Sequence, residues 1–306
     1  MGRAIVPQCY PSRVTITSRQ NPLVARFRTA ARGDVGGVML LDGAHVIADA
    51  IAATVAFQIA AVTPASRDEH HVRALVDALE RNGVEVITVS ASVMNAVSPV
   101  RTPSGIVALA ECPVAEADRL YAGPAALVVA AVDVQDPGNL GAIVRVAEAA
   151  GATGFIAAGG SANPFGWKAL RGSMGSALRL PIASAVAADE AVADAKRHGC
   201  RVIATVPRDG RSLFDVDLTG PIAVLIGGEG QGLPPSLLET ADERVTIQMQ
   251  APVESLNAAV TAALIVYEAR RQRQGRPEGL HYTSGGSSRS SASGGSSSTS
   301  GSSAGL

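Results

Sequence analysis

Ten residues from Ala125 to Val134 read AALVVAAVDV, apolar at odd and even positions alike. A run of strand length with no polar face suits a strand covered on both sides, as in a parallel sheet with helices above and below. The turn DPG follows. A helix then runs from Asn139 to Gly151, with Leu140, Ile143, Val144 and Ala147 as its apolar stripe. Strand-like runs TGFIAAGG, LPIASA, CRVIATV, PIAVLIGGE and ERVTIQM succeed it. Helical segments separate them, among them ADEAVADAKRHG, which ends at Gly199. A long final helix lies in SLNAAVTAALIVYEARRQR. There Leu256, Val260, Leu264 and Tyr267 recur at three- and four-residue steps and predict the face that packs inward.

The first part of the chain is a smaller α/β block. Its strands are GVMLLDG, AFQIAAV, VEVITVS and GIVALAE, and a charged helix over His71–Asn82 is stopped by Gly83. A break falls near ECPVAEADRLYAGP. The expected organisation is an irregular leader over 1–13, an α/β domain over 14–112 and a linker over 113–123. A parallel-sheet domain over 124–275 and a disordered Ser/Gly-rich tail over 276–306 complete it.

Hydrophobic residues make up 47% of the 306, enough for a large core, and the net charge of −1 excludes holding polyanions by bulk charge alone. Aromatics are only 3%, so stacking platforms for single strands are scarce. The three cysteines, Cys9, Cys112 and Cys200, form no CxxC, and the histidines do not cluster, so no metal motif is present. With no apolar run of membrane-spanning length, a soluble cytoplasmic protein is expected. One segment is strongly basic: through Gly33 there are six arginines and no acid. Arg19, Arg26 and Arg28 in it are candidate phosphate contacts, or simply the solvated face of a helix.

Familiar catalytic loops are missing. No GxxxxGK[ST] occurs, GGEGQGLP has leucine at 233 where GxGxxG needs glycine, and RGSMG lacks the first glycine of a nucleophile elbow. Three loops remain, each after a strand: QDPGNLGAIVR, IGGEGQGL and QMQAPVESLNAA. In a parallel sheet such loops gather beyond the carboxyl ends of the strands, where ligands bind. Asn139 reads as a helix N-cap. Glu229 is placed to pair with a cation such as Arg145 or to hold an amide. Ser255 is placed to cap the last helix, with Asn257 in its first turn.

Together the loops resemble the SpoU (TrmH-like) family of RNA ribose 2′-O-methyltransferases, of the SPOUT class. The motif N-x-G-x-x-x-R appears as Asn139, Gly141 and Arg145. G-x-E-G-x-G appears as Gly227, Glu229, Gly230 and Gly232, and S-L-N as Ser255, Leu256 and Asn257. KALRGSMGSALRLPI resembles a further stretch of that family, with serine after Gly175 where alanine is usual. The resemblance covers about Ala125 to Arg273. It implies a trefoil-knotted domain, a homodimer with sites near the dimer interface, and S-adenosylmethionine held by Thr205, Gly227, Gly230, Ile247 and Leu256. Arg145 would position the ribose 2′-oxygen and the adjacent phosphate. Asn139 and Glu229 would hold its guanidinium, and Ser255 and Asn257 would shape the pocket. The first block, with ITSRQNPLVARFRTAARG and VMLLDGAHVIADAI, is similar to the family's L30e-like substrate-binding domain, with Arg26 near a usual lysine and Asp42 at a usual glutamate. The expected substrate is structured RNA, with ribosomal RNA ahead of transfer RNA. The rivals are a non-catalytic RNA-binding protein, which the intact Asn139, Arg145, Glu229 and Asn257 oppose, and a small-molecule methyltransferase, which the basic first segment opposes.

Overall fold

A computed structural model of the chain describes residues 15–33 and 36–274, so the expected leader over 1–13 and tail over 276–306 lie outside the described residues. Two sheets organise the rest. The first holds β1 (Val38–Asp42), β2 (Phe57–Val62), β3 (Val86–Thr88) and β4 (Ile106–Glu111), in the order β1-β4-β2-β3. In it β4 is antiparallel to β1 and β2, and β3 is parallel to β2.

The second sheet holds β5 (Leu127–Val132), β6 (Gly154–Ala158), β7 (Ile182–Val186), β8 (Arg201–Thr205), β9 (Arg211–Ser212), β10 (Ile222–Gly227) and β11 (Glu243–Thr246). Its order is β7-β6-β5-β10-β8-β11-β9, with every pair parallel. β5 is buried at all of its positions, as its unbroken apolar run requires. From β5 the chain steps outward through β6 and β7, then crosses back to the other side of β5. That reversal opens a crevice at the carboxyl ends of the central strands.

Both helices that flank this crevice are capped differently from the sequence expectation. The Pro137–Ala150 helix starts from Asp136, whose Oδ1 accepts a hydrogen bond from the Asn139 backbone N–H at 2.7 Å. Proline at the first helical position fixes that start, which leaves the Asn139 side chain free for other work. The Ala258–Arg273 helix is capped by Asn257, not Ser255: Asn257 Oδ1 accepts from the N–H groups of Ala259 and Val260 at 2.9 and 3.4 Å.

The inward face of that last helix also needs correction. Ala258, Ala262, Ile265, Val266 and Ala269 are buried, while Val260, Leu264 and Tyr267 are 47%, 43% and 49% exposed. The helix carries two apolar stripes. The alanine-rich one wins the inside because small side chains let the helix approach the Pro137–Ala150 helix closely. No helix among the described residues is long and apolar enough to cross a membrane.

A single cluster of buried side chains runs from Met39, Leu41 and Ile106 of the first sheet into Leu127, Val129 and Leu140 of the second. The end of the last helix is tied down by Arg273, half-buried and without a carboxylate partner among the described residues. Its guanidinium donates to the carbonyls of Ala125, Ala126, Leu218 and Gly220 at 2.6–3.3 Å. Burial pulls its pKa down. Arg273→Ala leaves four carbonyls without this donor, and we expect a loss of about 2 kcal/mol in unfolding free energy by urea titration. These contacts lie at the amino ends of β5 and β10, away from the crevice, so ligand affinity of the folded variant should not change.

Candidate active site

The site is assembled from segments far apart in sequence. The Asn139 amide Nδ2 donates to Glu229 Oε1 in a short hydrogen bond, and Asn257 Nδ2 donates to Asn139 Oδ1 at 3.0 Å. One amide therefore bridges the first helix, the glycine loop and the cap of the last helix. Of the two partners open to Glu229, the structure selects the amide. Arg145 forms no hydrogen bond or ion pair with any described residue. It lies six residues beyond Asn139, which on an α-helix is about 9 Å along the axis and roughly 120° around it. Asn139 and Glu229 therefore do not hold the guanidinium, which is exposed to solvent.

Gly141 explains how the helix sits. A Cβ there would overlap the Ala169 carbonyl oxygen and stand 3.0 Å from Gly172 Cα and Ser173 N, so bare backbone lets the Trp167–Ser173 helix pack directly on this turn. Arg145 stands one turn further along the same face.

Beyond the carboxyl ends of β8, β10 and β11 lies a cavity of about 470 Å³. Its wall includes Thr205, Gly227, Gly230, Ile247 and Leu256, together with Glu229, Ser255 and Asn257; Asn139 and Arg145 are not part of it. Thr205 Oγ1 donates to the Leu225 carbonyl at 2.9 Å, joining β8 to β10 at the rim. The glycine loop folds back on itself. A Cβ on Gly227 would come within 2.7 and 2.8 Å of Gly232 C and Leu233 N, and one on Gly228 would overlap the Asp133 carbonyl. Gly227 is thus already required by the loop's own return. Gly230 and Gly232 take φ of 97° and 68°, a region that favours glycine. Gly228 and Asp133, which pin this loop to the end of β5, went unnoticed in the sequence; the doubled glycine after β10 was their only signal.

Residues 126–267 match the SpoU rRNA Methylase family, and residues 30–108 match the MRM3-like substrate binding domain. An uncharacterized tRNA/rRNA methyltransferase of Synechocystis sp. is 34% identical over 266 residues, which span 85% of this chain and 94% of that one. The chain belongs to the SpoU rRNA methylase family. The 23S rRNA (guanosine-2′-O-)-methyltransferase RlmB of Burkholderia sp. is 32% identical to this SpoU methylase over 76% of the chain and 96% of its own length. Among solved structures, the SpoU methyltransferase AviRb from Streptomyces viridochromogenes in complex with AdoMet has a TM-score of 0.77 at 27% identity. It covers 83% of this chain and 98% of AviRb.

The protein is an RNA ribose 2′-O-methyltransferase that takes its methyl group from S-adenosylmethionine. The cavity suits such a ligand. Its volume is in the range that encloses a small molecule, and apolar walls alternate with the backbone polar groups of a glycine loop.

Gly227→Ala tests the loop. Its methyl group meets main chain, which cannot swing aside as a side chain can, so residues 230–233 must shift. Calorimetry should show S-adenosylmethionine affinity falling at least about tenfold, about 1.4 kcal/mol, in a variant that still folds but melts below the parent because its loop is over-packed.

Proposed function

We propose that this SpoU methylase modifies a ribose 2′-hydroxyl in ribosomal RNA, with Asn139, Arg145, Glu229, Ser255 and Asn257 forming the reaction centre. The observation that carries the site assignment is the Asn139–Glu229–Asn257 network at the edge of the cavity. The choice of ribosomal RNA is supported by relatives named as 23S rRNA methyltransferases and by the substrate-binding match over the first sheet.

When bound, S-adenosylmethionine supplies an electrophilic methyl group. Thr205, Gly227, Gly230, Ile247 and Leu256 are the residues proposed to hold it. The Asn139 amide joins Glu229 to Asn257, and these two partners are the ones that line the cavity. The network is exposed, so its amide–amide bond contributes only about 1 kcal/mol to folding and its amide–carboxylate bond not much more; its value is geometric. A guanidinium keeps its proton throughout the neutral range and is a poor base. Arg145, with no partner of its own among the described residues, has its fork free for the 2′-oxygen and the neighbouring phosphate. There it orients the nucleophile and stabilises the charge that develops as the proton leaves to phosphate or water.

The basic segment offers further phosphate contacts. On the Pro22–Arg32 helix Val24, Phe27 and Ala30 face the core, and Arg26 and Arg28 face solvent. Arg26 donates to Gln58 Oε1 at 2.6 Å and Arg19 to Ser92 Oγ at 2.9 Å, so both are held in place for a polyanion. Free Cys112 and Cys200 fit action in the reducing cytoplasm.

Single-turnover methylation of ribosomal RNA tests the role of Arg145. Arg145→Ala should bind cofactor normally and lose about a hundred- to a thousandfold in rate. Arg145→Lys, which keeps charge but not the planar fork, should be nearly as slow. Strong rescue of the lysine variant at high pH would point to a base instead, and a wild-type rate in the alanine variant would remove Arg145 from the mechanism.

The outward stripe of the last helix is the proposed dimer face. Val260, Leu264 and Tyr267, with Val253 at 52% exposure, form an apolar surface one to three turns from Asn257. Leu264→Arg should give a monomer in sedimentation equilibrium, against a dimer for the parent.

A further inference from the structure

The two sheets meet through apolar packing, which is strong but does not by itself fix an angle. Charges cross the same junction. The first sheet's side contributes acids and the second's arginines. Asp42, at the end of β1, accepts a hydrogen bond from Ser98 Oγ at 2.5 Å and feels the charge of Arg171 without forming an ion pair with it. Burial is the main influence on Asp42 and raises its pKa, with Ser98 and Arg171 acting against that rise.

The second contact reaches the catalytic helix. Arg179 Nε and Nη2 donate to Glu148 Oε1 and Oε2, both at 2.8 Å, a bidentate pair anchored on the Pro137–Ala150 helix. Nη1 is the nitrogen left over. It lies 2.6 Å from the point where a Cβ on Gly175 would sit, and Asp49 Oδ2, from the Ala44–Ala52 helix, crowds the same point. Gly175 has φ of 82°, so glycine is demanded both by the backbone and by the two charged groups that flank it, which face each other across this position without closing to an ion pair. The hydrogen bonds that Arg179 donates to Glu148 chiefly hold it in its charged form, and the attraction of Asp49 adds to them.

We propose that Asp49 is a positioning residue: through Arg179 and Glu148 it sets the orientation of the substrate-binding domain on the helix that carries Asn139 and Arg145. The coupling runs from Asp49, by charge attraction across Gly175, to Arg179, then through its bidentate pair to Glu148 and along one continuous helix to both site residues. A long RNA held by the first domain then presents its target nucleotide at a fixed place relative to Arg145. Asp49 touches neither cofactor nor reacting atoms. Its effect belongs in the use of structured RNA, and it rests on the methylation reading given above.

The test compares Asp49→Asn, which keeps shape and removes charge, with Asp49→Ala and Gly175→Ala in the full chain. Steady-state methylation of ribosomal RNA should show KM for RNA raised about tenfold, with kcat and the S-adenosylmethionine Kd within about twofold of the parent. Hydrogen–deuterium exchange without RNA should quicken at residues 44–52 and 174–179 in each variant, and combining Asp49→Ala with Gly175→Ala should add little to either change. An unaltered KM with unaltered exchange in both Asp49 variants overturns the proposal, as does a loss confined to kcat or an equal loss of cofactor affinity. If the parent methylates no ribosomal RNA, the substrate reading fails, and the exchange measurement still decides whether Asp49 docks the domains.

Discussion

The amide of Asn139 connects three parts of the chain: it donates to Glu229, 90 residues away, and accepts from Asn257, 118 residues away. Each partner has a second commitment. Glu229 rides on a glycine loop folded tightly after β10, and Asn257 caps the last helix with the oxygen of the same amide group. The cap position thus fixes where the amide nitrogen can point, and the loop's return fixes the carboxylate. Neither bond is strong enough to hold the fold together. The parallel sheet and its apolar helices do that, and the network uses their rigidity to define one place at the crevice.

Close backbone approach runs through the whole arrangement. Gly141 lets one helix lie directly on another, Gly227 and Gly228 let the loop turn back onto β5, and Gly175 leaves room for a carboxylate and a guanidinium. In each case the missing side chain is needed by neighbouring protein atoms. A glycine-rich loop beside a cavity invites a ligand-centred explanation. Here the cavity is the consequence: loops that fold so tightly leave their outward backbone groups and a few apolar side chains facing an enclosed space.

Charge is used locally, not in bulk. The net charge is only −1, yet the arginines are divided among distinct tasks. Arg273 spends its donors on carbonyls at the base of the sheet, Arg179 binds Glu148, and Arg19 and Arg26 are braced on neutral side chains. Arg145, like Arg28 and Arg101, keeps its fork unused among the described residues. An arginine whose donors are already taken is a structural part; one with its fork free is available to an anion.

Much of the fold was legible in the sequence. The unbroken apolar run of β5 required cover on both faces, Gly151 and Gly199 marked helix ends, and two of the three loops singled out, IGGEGQGL and QMQAPVESLNAA, line the cavity. The residue types of the site were legible too, because N-x-G-x-x-x-R, G-x-E-G-x-G and S-L-N are local patterns. Tertiary structure alone decided which side chains meet. Sequence spacing could not tell that Glu229 holds the Asn139 amide in preference to Arg145, since that depends on where two distant segments come to rest. Nor could periodicity choose between the two apolar stripes of the last helix: both repeat at helical spacing, and the alanine stripe is buried because a neighbouring helix lies close enough to admit only small side chains.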